Sequence, residues 1–315
     1  MAGGPAAIID MPEIGITLAV HWTKSPGPAT LPQKTKQERT AMQLGIHLPH
    51  IGRKAGPDSI RRAAIQAEEL GLADVWVSEH IIVPKAGGYP PSPNFWDPIL
   101  TLTWAAACTS RVRLGTSVLV LPLRHPLPLA KELATLHNLS NGRLILGGGV
   151  GWLEAEFDAL GVPFKERGRR MDEGIAMMRA VWTEDPVSFQ AKYIPAVIEN
   201  MRTQPQPQSH IPIWIGGSSD AAIARAQRND GWHGSRVKPE AAADMVKRLR
   251  AGRPDEAWTI SLRVNINANN VGDMKDALAM YRDAGVQHVM AAPEDRDIDT
   301  YLQTVERFAQ AGEGL

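Results

Sequence analysis

Residues 44–77 read LGIHLPHIGRKAGPDSIRRAAIQAEELGLADVWV, and this stretch decides the fold. Apolar residues alternate at its start, which predicts a strand that ends at Pro49. A run with apolar residues at helical spacing follows, and Gly71 ends it. Residues 74–78, rich in valine, then predict a second strand. A strand, a helix and a second strand in this order indicate a βαβ unit with parallel strands.

The same alternation continues to the C-terminus. Further apolar strands are predicted at residues 112–120, 144–146, 212–215, 231–233, 259–267 and 288–290. Parallel strands need a crossover helix between them, so eight such units that close on themselves predict a (β/α)8 TIM barrel. A doubly wound open sheet is the alternative. The segment 147–211 between strands four and five is too long for a plain loop, so we expect an insertion with structure of its own.

Residues 1–41 differ from the rest of the chain. Glycine, proline and polar residues follow one another there without a sustained period, whereas a regular strand pattern opens at Met42. We expect residues 1–41 to form an N-terminal extension with little structure, in which residues 14–20 are the candidate for one edge strand. Residues 42–315 are then a single barrel domain.

Composition argues against several classes of function. Lys and Arg together number 34, and so do Asp and Glu, so no net charge favours nucleic acid or an anionic membrane as a partner. The chain holds one cysteine, which rules out an internal disulfide and fits a reducing compartment. No apolar run reaches the ~18 residues that span a bilayer, and the N-terminus lacks a secretory pattern. We therefore expect a cytoplasmic protein.

The C-terminal ends of the predicted strands define the candidate site, because that face carries the active site of TIM barrels. The side chains and glycines found there are His50, Glu79, His80, Ser117, Val118, Val150, Gly151, Trp152 and His233, followed in the fifth unit by Gly216, Gly217, Ser218, Ser219 and Asp220. The turn 216–220 joins a strand to a helix, where free backbone N–H groups favour a phosphate. A tight turn capped by Ser218 or Asp220 is the other interpretation.

Glu79 and His80 are the most distinctive polar pair at these ends. A histidine beside a carboxylate can transfer protons or hold a polar ring edge, and a hydrogen-bonded structural pair is the alternative. The histidines near strand ends lack the spacing of zinc ligands, so we expect no metal. The glycine run 147–151 has Glu154 where a Rossmann fingerprint needs its third glycine. Neither a nucleophile elbow nor a P-loop occurs, which argues against hydrolase and NTPase chemistry.

An ordered set of motifs resembles the luciferase-like monooxygenase superfamily, and especially its branch that uses the deazaflavin coenzyme F420. Each motif is modestly specific, but together they follow the order and spacing of that family from Met42 to the C-terminus. The motifs are ADVWVSEH (73–80), RLGTSVLVLP (113–122), RHP (124–126), LSNGRL (139–144), GGGVGW (147–152), EF (156–157) with Gly161 and Arg167, and IWIGG (213–217).

The resemblance implies roles for individual residues. Family members carry a non-proline cis peptide at the end of the third strand, and the matching bond here is Ser117–Val118. The acidic residue and the histidine after the second strand contact the ring of the cofactor, so Glu79 and His80 take these roles. The other cofactor contacts that the resemblance implies are Val120, Val150 and Gly151 near the ring, with Gly216, Gly217, Ser218, Ser219 and Asp220 at the phosphate.

One departure from the family pattern bears on the substrate. In sugar-phosphate dehydrogenases of the deazaflavin branch, a glutamate that accepts a proton follows the second glycine after strand four. That position is Trp152 here. We expect Trp152 to wall an apolar substrate pocket together with His50 and His233, which leaves His80 as the candidate for proton transfer.

Three functional hypotheses follow. The first is an F420-dependent oxidoreductase that moves hydride between the deazaflavin and an organic small molecule. The second is an FMN-dependent two-component monooxygenase that takes reduced flavin from a partner reductase and activates oxygen. The third is a barrel that binds a flavin-like ligand without turnover. The resemblance favours the first, with a flavin or F420 reductase as a candidate partner, and implies a homodimer.

Overall fold

A computed structural model of the chain describes residues 7–11, 16–20, 42–85 and 92–315. The chain divides into two compact units, Met1–Thr35 and Lys36–Leu315. In the first unit, strand β1 (Ala7–Met11) pairs antiparallel with β2 (Ile16–Val20) in a two-stranded sheet. β2 therefore lies within residues 14–20, where the sequence analysis expected one strand. The rest of the predicted extension lies outside the described residues.

In the second unit, strands and helices alternate as the sequence predicts. The strands are β3 (Gln43–His47), β4 (Asp74–Val77), β5 (Arg113–Thr116), β6 (Leu119–Val120), β7 (Leu144–Gly149), β8 (Val187–Gln190), β9 (Val197–Met201), β10 (Ile213–Gly216), β11 (Gly231–Ser235), β12 (Thr259–Ile266) and β13 (His288–Pro293). The helices are α1 (Pro57–Glu69), α2 (Pro98–Cys108), α3 (Pro126–Leu139), α4 (Glu154–Ala159), α5 (Arg167–Thr183), α6 (Asp220–Gln227), α7 (Ala242–Gly252), α8 (Met274–Asp283) and α9 (Ile298–Ala311).

Eight of these strands close into a parallel barrel. Their order around it is β3-β4-β5-β7-β10-β11-β12-β13, and β13 returns to β3 with Ala291 opposite Ile46. β10 joins β7 with Trp214 opposite Gly147. The predicted (β/α)8 barrel is thus confirmed. A doubly wound sheet is excluded, because an open sheet would leave two strand edges unpaired.

Local sequence signals position the helices around the barrel. α1 and α2 begin at Pro57 and Pro98, where the missing N–H has no partner to lose. Asp97 caps α2 by accepting two backbone N–H groups of its first turn, at 2.9 and 3.0 Å. Most helices then bury one apolar stripe against the barrel, as α1 does with four residues between Ile60 and Ala67. In the described part of the chain, no helix is long and apolar enough to cross a bilayer.

The segment between β7 and β10 carries structure of its own, as expected from its length. It contains α4, α5 and an antiparallel hairpin of β8 and β9, in which Phe189 lies opposite Ile198. α5 packs against α3 and so belongs to the layer of helices around the barrel. The sequence did not predict the hairpin, because each strand buries a single residue, Val187 in β8 and Ile198 in β9.

The end of β5 carries a bulge that shapes the mouth of the barrel. Leu114 in β5 lies opposite Leu144 in β7, and Leu119 in β6 lies opposite Gly148. The step from 114 to 119 is five residues, whereas the step from 144 to 148 is four. One extra residue is therefore accommodated between β5 and β6. The Ser117–Val118 peptide bond within this bulge is cis, as predicted.

Candidate functional site

The C-terminal mouth of the barrel is built around Val118. A Cβ atom on Gly149 would lie 2.5 Å from Val118 Cγ2, and one on Gly216 would lie 2.8 Å from Val118 Cγ1. Both distances are too short for real atoms, so glycine is what lets the ends of β7 and β10 approach Val118 this closely. Val118 itself is half-buried. It therefore presents an apolar surface between the ends of these two strands.

The residues after β7 extend this surface toward Val120. Gly151 has a φ of +79°, and a Cβ atom there would lie 2.6 Å from Val120 Cγ1. Val150, its neighbour, is half-buried. The predicted cofactor residues at the ends of the third and fourth barrel strands are thus brought together on one rim.

Glu79 stabilises the bulge between β5 and β6 through a hydrogen bond. Glu79 is 4% exposed as a whole residue, and its Oε2 accepts the backbone N–H of Val120 at 2.6 Å. Oε1 accepts Arg124 Nε at 2.6 Å, and Arg124 also contacts Asp97 at 2.6 Å. Burial raises the pKa of Glu79, while Arg124 and the Val120 N–H oppose that rise. Both carboxylate oxygens are engaged by protein groups, and a direct contact of Glu79 with the cofactor stays a prediction.

The carboxylate that contacts His80 belongs to Glu156 and not to Glu79. His80 Nδ1 lies 2.9 Å from Glu156 Oε2. The other oxygen of Glu156 accepts the N–H groups of Ile81 and Ile82 at 2.8 and 3.3 Å. Glu156 therefore fixes both the ring of His80 and the chain that follows it. Sequence reasoning missed this partner, although residues 156–157 belong to the motifs quoted above, because 76 residues separate it from His80.

Aromatic rings surround His80 on the open side of the site. Phe95 meets it edge-on with ring centroids 5.0 Å apart, and Trp152 does so at 5.9 Å. Trp152 is 57% exposed, so this wall faces solvent. The predicted contact between Trp152 and the substrate pocket fits this position. Phe95 was not predicted, because it lies in a Pro-rich loop without a periodic signal.

His50, which the sequence places in the substrate pocket, is fully buried in the structure. Its Nδ1 lies 3.1 Å from the carbonyl oxygen of Leu48, and its Nε2 lies 3.1 Å from the backbone nitrogen of Ser78. Burial lowers the pKa of His50 to about 4. The backbone engages both ring nitrogens, so His50 joins two strand ends, and its place in the substrate pocket stays a prediction.

His233, also predicted to line the substrate pocket, is buried as well. Its ring is 3% exposed and stacks on Trp76 with centroids 4.9 Å apart. Nδ1 lies 2.7 Å from Ser261 Oγ, and Nε2 lies 2.8 Å from Ser117 Oγ. Burial, with His288 and Arg263 nearby, lowers the pKa of His233 to about 3. His233 therefore lies below the mouth of the barrel, as a neutral ring bonded to the bulge.

The turn from β10 into α6 is exposed and has the geometry of a helix start. Gly217 has a φ of +108°, which favours glycine. Ser219 is the cap of α6, since its Oγ accepts the N–H of Ala222 at 3.2 Å, so neither Ser218 nor Asp220 is the cap. Asp220 forms an ion pair with Arg248, which offsets its negative charge at the helix start. The first-turn N–H groups here have the orientation that binds phosphate in other proteins.

In the described ranges, no group of three or more His, Cys, Asp or Glu residues is placed to hold a metal ion.

Comparisons with known proteins find relatives over most of the chain. The family model described as luciferase-like monooxygenase matches residues 36–313. An uncharacterised protein of Mycobacterium tuberculosis is 32% identical over 266 residues, which cover 78% of this chain and 91% of the relative. An F420-dependent glucose-6-phosphate dehydrogenase of Amycolatopsis mediterranei is 36% identical over 183 residues, which cover 56% of this chain and 53% of the relative.

A solved structure shares the fold. An F420-dependent secondary alcohol dehydrogenase, in complex with an F420-acetone adduct, superposes with a TM-score of 0.74. The superposition covers 87% of this chain and 99% of the other at 16% sequence identity, so the likeness is one of fold.

Proposed function

Because the chain belongs to the luciferase-like monooxygenase family, we propose that it is an F420-dependent oxidoreductase that transfers hydride between the deazaflavin and an organic small molecule. The observation that carries the proposal is the mouth of the barrel, where Val118 touches the glycines that end β7 and β10. F420 is favoured over FMN because the partial relative of 36% identity is named for F420 dependence.

The residues at the mouth fit a flat ring with a phosphate tail. Val118 and Val150 offer half-buried apolar surface on which such a ring can lie. At Gly151, a Cβ atom would crowd Val120 and Phe157, so glycine is what lets this backbone pack closely at the rim. The exposed turn at Gly217 provides backbone N–H groups for the phosphate. These features support the assignment of residues 216–220 to the phosphate site.

When bound, the deazaflavin would supply hydride transfer at its C5 atom. A side chain of the protein would give or take the proton that accompanies the hydride. His80 Nε2 is placed to give or take the proton at the oxygen of a substrate, because Glu156 occupies Nδ1 and orients the ring. His80 is thus the catalytic residue of the proposal, and Glu156 is the residue that positions it.

The wall beside His80 favours an apolar substrate. Trp152 and Phe95 both present ring surface next to His80. An alcohol or the corresponding carbonyl compound with a hydrophobic body would place its oxygen at His80 and its carbon skeleton against these rings. A sugar phosphate fits this wall poorly, since the rings of Trp152 and Phe95 carry no positive charge for its phosphate.

The test is a fluorescence titration of the purified protein with F420 and with FMN, each oxidised and reduced. We expect F420 to bind with a Kd lower than that of FMN by about tenfold or more. Gly151→Val places a side chain against Val120 and should abolish binding of both. Arg61→Ala, on the exposed face of α1, is the matched control and should bind as the wild type does. Preferential tight binding of FMN would contradict the proposal.

The FMN-dependent monooxygenase is the second candidate, and the description of the matching family favours it. It predicts tight binding of reduced FMN and consumption of oxygen when a partner reductase supplies the flavin. A non-catalytic flavin-binding barrel predicts binding without turnover of any alcohol or carbonyl compound. The exposure of Trp152 beside His80 favours an enzyme over a non-catalytic barrel, because one side of these two rings is open to a substrate.

We also propose that two copies of the chain pair through α2. Leu100 and Trp104 on this helix are 71% and 45% exposed, and Trp96 just before it is also exposed. A cluster of large apolar side chains on a surface is typical of protein–protein contact. Light scattering should give twice the chain mass of 34.3 kDa. Leu100→Glu should yield monomers, whereas the control Val197→Glu, at an exposed site on β9, should not.

A further inference from the structure

A buried tryptophan connects β11 to residues 217–219, which lead from β10 into α6 and which we call the β10–α6 turn. Trp232 in β11 is fully buried, and its Nε1 donates to the carbonyl oxygen of Gly217 at 2.7 Å. An indole ring has one hydrogen-bonding group, and that group can only donate. The whole hydrogen-bonding capacity of Trp232 is therefore used on the backbone of this turn.

The register of the two strands explains how the ring reaches the turn. Trp232 lies opposite Ile215 in the parallel pair of β10 and β11, so Gly217 lies two residues closer to the mouth. The indole has to lie along its own strand to bridge this distance. A Cβ atom on Gly234 would lie 2.1 Å from Trp232 Cη2, which is too short for real atoms. Glycine at position 234 therefore leaves the space that the indole ring occupies.

The orientation of the Gly217 carbonyl fixes the direction of the next backbone N–H group. The peptide bond between Gly217 and Ser218 is trans. In a trans peptide the C=O and the N–H point in opposite directions. Trp232 belongs to the core, whereas residues 217–220 are exposed on their other side. The N–H of Ser218 therefore points away from the core, toward the solvent at the mouth of the barrel.

The other acceptors of the turn are engaged from α7. Arg248 Nη1 lies 3.5 Å from the carbonyl oxygen of Ser218, and the same guanidinium pairs with the carboxylate of Asp220. Within the described part of the chain, the backbone N–H groups of Ser218 and Ser219 donate to no other protein group. Neighbouring elements thus take the acceptors of the turn and leave successive N–H groups for an anion.

The indole N–H is what keeps this orientation in place before an anion binds. Gly217 has a φ of +108°, and glycine moves between backbone conformations more easily than any other residue. Without the indole N–H, the exposed carbonyl of Gly217 is free to turn to water. The N–H of Ser218 would then have to be ordered again when an anion binds, and this cost lowers the affinity.

We propose that Trp232 is a positioning residue for the phosphate of the cofactor, because it holds the N–H of Ser218 in the direction from which the phosphate is bound. The inference rests on the proposed function, which assigns the phosphate to this turn. Ser218 touches the phosphate, whereas Trp232 acts through the backbone of Gly217. A flavin or deazaflavin without a phosphate gains nothing from this N–H group. Trp232 therefore determines the preference for the phosphorylated form of the cofactor.

The first test measures the preference for the phosphate. Riboflavin lacks the phosphate of FMN, so the Kd of riboflavin divided by the Kd of FMN isolates the contribution of the phosphate site. We expect Trp232→Phe to lower this ratio about five- to tenfold, as for the loss of one oriented hydrogen bond, with the affinity for riboflavin unchanged. F420 and its unphosphorylated deazaflavin core should show the same change. An unchanged ratio would overturn the inference.

Two controls separate this role from a loss of packing. Trp258 is also buried, and its Nε1 donates to the carbonyl oxygen of Asn229 at 2.9 Å, at the opposite end of the barrel. Trp258→Phe removes the same group and should leave the ratio unchanged. Benzothienylalanine in place of Trp232 keeps nearly the shape of indole but carries sulfur instead of the N–H, so it should lower the ratio as Trp232→Phe does. The opposite result in either control would overturn the inference.

The second test needs no cofactor. Backbone amide NMR follows the Ser218 signal while inorganic phosphate is added to the ligand-free protein. We expect Trp232→Phe to need about five- to tenfold more phosphate than the wild type for the same shift. Equal concentrations, or no shift in the wild type, would overturn the inference. If neither F420 nor FMN binds the wild type, the proposed function fails, while the phosphate titration still decides the role of Trp232.

Discussion

Substitution of Arg124 by methionine removes the partner of a carboxylate buried at the mouth of the barrel. Arg124 Nε donates to Glu79 Oε1 at 2.6 Å, and the second oxygen of Glu79 accepts the N–H of Val120 at 2.6 Å. The side chain of Glu79 is 1% exposed, so water has little access to take the place of the guanidinium. Methionine retains much of the apolar stem of arginine, so the change removes mainly the charge.

We expect the free energy of unfolding of Arg124→Met to fall by about 3–5 kcal/mol at neutral pH, the range for breaking one partner of a buried ion pair. The double variant Glu79→Gln/Arg124→Met should recover much of this loss, because a neutral amide keeps an acceptor for Val120 and needs no cation. Arg61→Met is the matched control. Its ion pair with Asp58 has side chains 47% and 67% exposed, and such pairs contribute at most about 1 kcal/mol.

The loss should also depend on pH. Burial raises the pKa of Glu79 above its ordinary value of 4.5, and removal of Arg124 raises it further. A group whose folded pKa lies above its unfolded pKa adds stability below the unfolded value and loses it as pH rises through the folded value. The deficit of Arg124→Met relative to the wild type is therefore smallest in acid and grows toward neutral pH.

Urea unfolding followed by circular dichroism, at about pH 4 and about pH 7, measures both effects. The wild type, the two arginine variants and the double variant are compared under the same conditions. A deficit of Arg124→Met no larger than that of Arg61→Met would refute the reasoning, and so would a deficit that is the same at both pH values.

Three further predictions concern other positions of the barrel. Glu156→Gln presents an amide N–H₂ to His80 Nδ1 and moves the ring hydrogen to Nε2. We therefore expect turnover to fall about 100-fold with cofactor affinity unchanged. Steady-state kinetics and titration check this, and an unchanged turnover contradicts it. Gly115→Ala places a Cβ atom 2.2 Å from Trp76 Cε3, which should lower stability by about 1–3 kcal/mol or more in urea unfolding. Gly217→Ala strains a turn with a φ of +108° and should reduce the preference for FMN over riboflavin, which lacks the phosphate; an undiminished preference would remove the turn from the phosphate site.

The fold could be predicted because its signals are local. Alternating apolar residues predict a strand at 44–48, and β3 is Gln43–His47. The apolar stripe before Gly71 predicts a helix, and α1 is Pro57–Glu69. The β8–β9 hairpin escaped prediction for the same reason, because short strands that bury one residue each carry no periodic signal.

The sequence predicted which residues stand at the strand ends but not which polar side chains pair there. The strand ends placed Val118 close to the glycines of β7 and β10 in the structure. The partner of each polar side chain was not predictable, since Glu79 finds Arg124 45 residues away and His80 finds Glu156 76 residues away. The burial of His50 and His233 could not be predicted either, because a residue at a strand end can point its side chain into the barrel or out of its mouth.

By itself, the sequence determined that eight strands alternate with helices and which residues stand where each strand stops, because both follow from periods of two to four residues. Only the closed tertiary structure decided which polar groups meet inside the barrel. Asp74 and His288 lie 214 residues apart and become neighbours only because β13 returns to pair with β3. The contact between these two side chains therefore depends on barrel closure, which no local pattern specifies.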